Sequence, residues 1–177
     1  MDTREFTELI RRHTRLLHQI AYTYCRDAAS REDVIQEITL ELWRSRHRYD
    51  ERYKETTWIY RIAVNVAISF HRRERRHRDR RQPIDARAFT VAAPEGQPSE
   101  EMQVLMRCID GLAPLDKALV LLYLDGNEHA TLAEVLGISV SNVGTKLSRI
   151  KERLRTDVER RSQPSPKPEG EERHAAG

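Results

Sequence analysis

Ser141, Asn142, Thr145, Lys146, Ser148, Arg149 and Arg153 are short hydrogen-bonding groups and cations that share one face of a helical stretch. Such side chains donate to phosphate oxygens and to base edges, which is the chemistry of duplex recognition. The opposite face carries Val143, Leu147, Ile150 and Leu154 at i, i+4, i+7 and i+11, a single stripe for burial. Upstream, Thr131 and Glu134 are spaced as a capping box that opens a short helix. Gly137 supplies a left-handed turn, and Ser139 caps the longer helix that follows. Leu132, Val135, Leu136 and Ile138 form the opposing wall. Two helices around a glycine turn, the second polar and basic outside, are laid out as a helix-turn-helix for a DNA major groove. An ordinary helical hairpin with a solvated polar face has the same spacing.

A second group lies in a helix expected from Thr57 to about Arg76. Trp58, Ile59, Ile62, Ala63, Val66 and Phe70 make its inner face. Arg61, Asn65, Ile68 and Arg72 stack on another flank, which runs into HRRERRHRDRR at 71–81, a run with seven arginines against two acids that includes Arg73. A cationic ridge with an amide and nearby aromatics suits single-stranded nucleic acid, whose bases are open to stacking. A surface helix laced with solvated charge is the plainer alternative.

The third group sits on a helix from Ser30, capped with Asp33, to about Arg46. Val34, Ile35, Ile38 and Leu42 share its buried face. Asp33, Gln36, Glu37, Leu40 and Trp43 lie on the other side, an apolar pair among carboxylates and an amide that resembles a protein-docking surface. Trp43 equally suits a place at the edge of the bundle.

The elements that position these groups are all helical. Phe6, Leu9, Ile10, Leu16, Leu17, Ile20, Ala21 and Tyr24 predict one amphipathic helix from about Thr3 to Cys25. Arg48–Glu55 reads as a loop. Pro83, Pro94, Gly96 and Pro98 mark 82–98 as a linker. Ser99 caps a helix with Met102, Leu105, Met106, Ile109 and Leu112 as its apolar set, and Pro114 starts another that ends near Asp125-Gly126. With the helix-turn-helix, these make a four-helix C-terminal domain. The expected fold is therefore all-α: one helical domain over 1–81, a flexible linker over 82–98, a second domain over 99–161, and a disordered tail over 162–177.

The composition agrees with small bundles. Of 177 residues, 38% are hydrophobic and 33% charged, too little apolar surface for one large core. The formal net charge is +3, but its local concentration in the arginine run favours a polyanionic partner. Cys25 and Cys108 lack metal or redox spacing and are expected as buried free thiols in a reducing cytoplasm. No signal core or membrane-length apolar run is present, so a cytoplasmic protein without membrane insertion is expected. No phosphate loop, metal-ligand spacing or nucleophile motif is found, so neither catalysis, nor a metal, nor a cofactor is expected.

Four segments together resemble the extracytoplasmic-function sigma factors of the sigma-70 family: REDVIQEITLELW, TTWIYRIAVNVAISFHRRERR, GLAPLDKALVLLYL and TLAEVLGISVSNVGTKLSRIKERLR. They occur in family order and spacing over most of Arg31–Arg155. The resemblance implies a bacterial transcription initiation factor that binds RNA polymerase core and directs it to promoters. Asp33, Gln36, Glu37 and Leu40 would dock on the clamp helices of the largest polymerase subunit. Arg61, Asn65, Arg72 and Arg73, with the Arg48–Glu55 loop, would hold the separated −10 strand. The helix from Ser139 would read the −35 duplex with Thr145, Ser148 and Arg149 on bases and Lys146 and Lys151 on phosphates, and Ser141, Asn142 and Arg153 would join the same DNA-binding face. Promoter DNA, core polymerase and an anti-sigma protein are the implied partners. Ser69 and Gly144 depart from the family pattern, which has an acid and a Lys or Arg there. A stand-alone helix-turn-helix regulator is the rival reading, and it would bind duplex DNA without polymerase.

Overall fold

A computed structural model describes residues 1–80 and 99–162, so the linker and the tail beyond Ser162 lie outside the described residues. Among the described residues the chain is all-helical. The N-terminal domain contains α1 (Thr3–Arg12), α2 (Thr14–Tyr24), α3 (Ala28–Ser45) and α4 (Glu55–Arg80), with a 3-10 turn at Arg46–Arg48. The C-terminal domain contains α5 (Glu100–Asp110), α6 (Pro114–Leu124), α7 (His129–Leu136) and α8 (Val140–Ser162). None of these helices is long and apolar enough to cross a membrane.

The first expected helix is two. His13 leaves helical geometry at φ −106° and ψ 13°, and its ring lies 3.3 Å from the Glu55 carboxylate at the start of α4. Arg12 pairs with the same carboxylate at 3.1 Å. The break lets α1 swing so that Phe6 meets Trp43 edge-on, with ring centres 5.1 Å apart. Periodicity ran through this kink because the apolar spacing on both sides happens to continue.

Two of the expected caps are misplaced. Asp27, not Ser30, caps α3: its carboxylate accepts from the Ser30 amide and hydroxyl, both at 2.8 Å. Helix α7 begins at His129 after Glu128, so Thr131 lies inside its first turn rather than at its cap. The glycine turn holds, with Gly137 at φ +66°. Ser139 accepts from the Asn142 amide at 3.2 Å, as expected of the cap of α8.

Val34, Ile38 and Leu42 of α3 are fully buried, with Ile35 at the margin. Val143, Leu147 and Ile150 of α8 bury against Leu132 and Val135. On α5 the buried stripe is Val104 and Cys108, continued by Leu112. The expected stripe is rotated, because α5 packs chiefly on α8; Met106 is 56% exposed, and the Met102 side chain lies outside the described residues. Lys117 is buried and compensated by Asp110 at 3.1 Å.

The two domains pack on each other through α4 with α6 and α7, and α2 with α6. Tyr24 donates to the Pro114 carbonyl at 2.8 Å, and Tyr60 donates to the Asp125 carboxylate. Tyr60, Val64, Ala67 and Ile68 are buried on the flank of α4 that turns toward this contact. Ile68, expected beside Arg61 and Arg72 on an outer flank, is only 8% exposed. The two domains are thus in contact, and the apolar flank of α4 is the reason.

Candidate polymerase and nucleic-acid interfaces

At 3.6 residues per turn, the buried arc of α4 covers roughly two thirds of its circumference. Arg61, Asn65, Ser69, Arg72, Arg73 and Arg76 occupy the remaining exposed arc. Arg61, Asn65 and Arg72 lie together within it, and Asn65 donates back to the Arg61 carbonyl at 2.8 Å. Arg73 lies at the margin facing α3. It pairs with Glu37 and sits 5.6 Å from the Phe70 ring centre. Beyond the N-terminus of α4, Tyr49 packs on Trp58 at 5.1 Å and its hydroxyl donates to the Tyr53 carbonyl at 3.0 Å. Tyr53 is 51% exposed in the loop.

On α3, Gln36 and Leu40 meet Phe6, Ile35, Thr39 and Trp43 in one shallow, largely apolar groove. Leu40 is 46% exposed within it. Trp43 forms one wall, clamped between Phe6 and the Arg46 guanidinium, which stacks 3.6 Å from the ring centre. It therefore serves both as bundle edge and as groove lining. Asp33 is exposed one turn earlier, while Glu37 turns away toward α4. Phe6 as a groove residue was missed from sequence, because only the kink at His13 brings α1 there.

On α8, Ser141, Asn142, Thr145, Ser148 and Arg149 share the arc opposite the buried stripe, and all are exposed. The cations at the margins are engaged. Lys146 pairs with Asp116 of α6 at 3.1 Å. Lys151 donates to the Tyr123 hydroxyl at 3.0 Å and lies 4.4 Å from that ring. Arg153 reaches the Gly111 carbonyl at 3.4 Å and Asp157 at 3.6 Å. Glu152 also falls on the outer arc, two turns beyond Thr145 and paired with Arg155 at 2.9 Å. An acid there closes the anion-facing window after Arg149. Gly144 lies at the far margin, and a Cβ on it would meet nothing within 4 Å.

Burial pushes the Tyr24 and Tyr60 phenols well above their ordinary range, with the Asp125 carboxylate adding to the effect on Tyr60. The Cys25 thiol is pushed up to about 12, chiefly by burial and then by nearby Asp27. Cys25 and Cys108 are both buried and free. Among the described residues no cluster of three or more His, Cys, Asp or Glu could hold a metal ion.

Two helical domains, one bearing a helix-turn-helix with an open polar arc and the other a cationic helix beside an apolar groove, define a DNA-binding protein of the transcription machinery. The family model described as Sigma-70 region 2 matches residues 9–77, and that for Sigma-70, region 4 matches residues 102–154. ECF RNA polymerase sigma factor SigK of Mycobacterium ulcerans is 30% identical over 136 residues, which span 73% of this chain and 71% of that protein. SigM of Mycobacterium tuberculosis is 27% identical over 158 residues, 86% of this chain and 76% of SigM. The fold is similar to that of the sigma factor RpoE solved with the anti-sigma factor NepR from Bartonella quintana, at a TM-score of 0.73 and 16% identity over 89% of this chain and 98% of that one. It is also similar to CnrH solved with the cytosolic domain of CnrY, at a TM-score of 0.67 and 21% identity over 91% of this chain and 92% of that one. The chain belongs to the extracytoplasmic-function sigma factors of the sigma-70 family, and is a transcription initiation factor.

Proposed function

We propose that this initiation factor divides its work among three faces. The α3 groove with Gln36 and Leu40, flanked on the same helix by Asp33 and Glu37, docks on the clamp helices of the largest subunit of RNA polymerase core. The exposed arc of α4, with Arg61, Asn65, Arg72 and Arg73, holds the separated −10 strand, and Tyr53 offers a ring for a base to stack on. Helix α8 reads the −35 duplex through Ser141, Asn142, Thr145, Ser148 and Arg149. Lys146, Lys151 and Arg153 flank that arc and reach phosphates when DNA displaces their present partners.

The observation that carries this reading is the exposure of Ser141, Asn142, Thr145, Ser148 and Arg149 on α8, while Val143, Leu147 and Ile150 anchor the same helix in the domain core. A reading arc on a rigid element is what base recognition requires. The working domains on this reading are residues 1–81 and 99–161, which is supported by the matches to Sigma-70 region 2 over 9–77 and region 4 over 102–154. The chain supplies no catalytic group of its own, since the polymerase performs the chemistry, and it works in the cytoplasm where polymerase and promoter are. An anti-sigma protein is the proposed negative regulator, supported by the similar fold of RpoE, which was solved with the anti-sigma factor NepR.

Run-off transcription with core polymerase is the test. Addition of the chain should give discrete transcripts from a genomic promoter library, while the chain alone should bind duplex DNA weakly. Tight duplex binding without core, and no transcripts with it, would instead establish a stand-alone regulator.

A further inference from the structure

Glu37 and Arg73 belong to different faces, yet they are bonded to each other. Glu37 projects from α3 at the margin of the polymerase-docking groove. Arg73 projects from α4 at the margin of the cationic arc. Their side chains are 37% and 48% exposed, so the pair sits on the seam between the two surfaces and is open to competitors. The Phe70 ring under the guanidinium steadies Arg73 on the α3 side of the seam. Arg61 and Arg72, further round the arc, make no ion pair among the described residues.

We infer that Glu37 is a positioning residue that holds Arg73 toward α3 until a cation of the polymerase takes its carboxylate, so that docking on core and holding the strand are coupled by exchange of one ion pair. This rests on the assignment of α3 to polymerase and of α4 to the separated strand. In the free chain the two charges satisfy each other. A basic polymerase surface competes for Glu37, and a nucleic-acid phosphate competes for Arg73. Each competitor frees the group the other needs, so each raises the affinity for the other by the same factor. A half-exposed pair contributes little by itself, which keeps the exchange reversible.

The probe is a short fluorescein-labelled A/T-rich single strand, titrated by anisotropy at several salt concentrations with the free chain and with the holoenzyme. In the free chain, Glu37→Gln should tighten strand binding about two- to fivefold, the range for an exposed ion pair. It should also steepen the salt dependence by roughly 0.7 of a slope unit, as one more phosphate contact does on a single strand. Both gains should vanish when Arg73→Ala is added. Glu37→Asp, which keeps the charge, should behave as the unaltered chain. In the holoenzyme Glu37→Gln should bring no gain, because the carboxylate is already taken. Glu41→Gln removes the same charge one turn away and controls for net charge; it should bring no gain that depends on Arg73. A gain from Glu37→Gln that survives Arg73→Ala overturns the inference. So does an absent gain when Arg73→Ala still weakens strand binding, and in that case the assignment of α4 stands. No effect of Arg73→Ala or Arg72→Ala on strand binding, free or in holoenzyme, overturns the assignment of α4 itself.

Discussion

Tyr60 and Arg61 are neighbours on α4 with opposite allegiances: the Tyr60 hydroxyl is held by Asp125 of the C-terminal domain, while Arg61 faces solvent on the cationic arc. The helix proposed to hold the −10 strand is thereby tied to the turn that precedes the helix-turn-helix. Promoter elements centred about 25 base pairs apart lie about 85 Å apart along B-DNA at 3.4 Å a step. Two domains in contact, each about 25–30 Å across, do not span that distance. If each domain takes its own promoter element as proposed, the contact between α4 and α7 is a closed form that opens on promoter engagement.

The Tyr60–Asp125 bond should set part of the closed population. A hydrogen bond to a charged group is worth about 1.5 kcal/mol at the low end of its range, appropriate to the exposed Asp125. Tyr60→Phe should thus shift the closed-to-open ratio roughly tenfold toward open. Small-angle scattering should report a larger radius of gyration, and protease should cut more readily between 82 and 98. An unchanged radius and cutting rate would show that the apolar flank alone holds the domains.

Leu40 and Leu42 are two residues apart and should part company on substitution. Leu42 is fully buried, so Leu42→Ala should cost about 2–5 kcal/mol of stability. Leu40 lies open in the groove, so Leu40→Ala should change stability by less than about 0.5 kcal/mol. It should nevertheless weaken core binding by more than about 1 kcal/mol if the groove is the docking site. Thermal unfolding beside a competition assay for core checks both.

Arg149 and Lys146 should differ in kind. Arg149 is exposed on the outer arc, so Arg149→Ala should cost about 1–3 kcal/mol at the preferred promoter and flatten discrimination at one base pair. Lys146 is held at the margin by Asp116, so Lys146→Ala should weaken all promoters alike and lower the salt slope by about one unit. Single-base −35 variants transcribed at two salt concentrations decide the matter; the reverse pattern would mean that α8 presents a different face.

Gly144→Ala should stabilise the C-terminal domain. The position is helical with open space around its Cβ site, so the gain is the intrinsic helix preference of about 0.8–1 kcal/mol. The melting temperature should rise by several degrees; a fall would place an unseen neighbour at that margin.

Stability should also decline in alkali. The Cys25 thiol is raised from 9.0 to about 12 in the folded chain, so its neutral form is the one the fold favours. Its contribution is fully present below pH 9 and is lost as the pH rises toward 12. Denaturant midpoints should be flat up to pH 9 and then fall, and Cys25→Ala should flatten part of that fall. The raised Tyr24 and Tyr60 phenols act in the same direction above pH 10.

The helices, their order and most buried stripes were legible in the chain because periodicity and turn chemistry are local. Val143, Leu147 and Ile150 on α8, Gly137 at the turn and Val34, Ile38 and Leu42 on α3 each follow from spacing that only one secondary structure satisfies. The three polar faces were legible for the same reason, as the remainder once the stripes are assigned. Tertiary structure alone decided what long-range partners impose. Glu55 meets His13 where α1 breaks from α2, and Asp27 rather than Ser30 caps α3. Ile68 falls in sequence on the outer flank with Arg61 and Arg72, because no local pattern distinguishes a solvent-facing isoleucine from one awaiting a second domain. Pairings such as Glu37 with Arg73 and Lys146 with Asp116 depend on how two helices sit side by side, which single-helix periodicity does not encode.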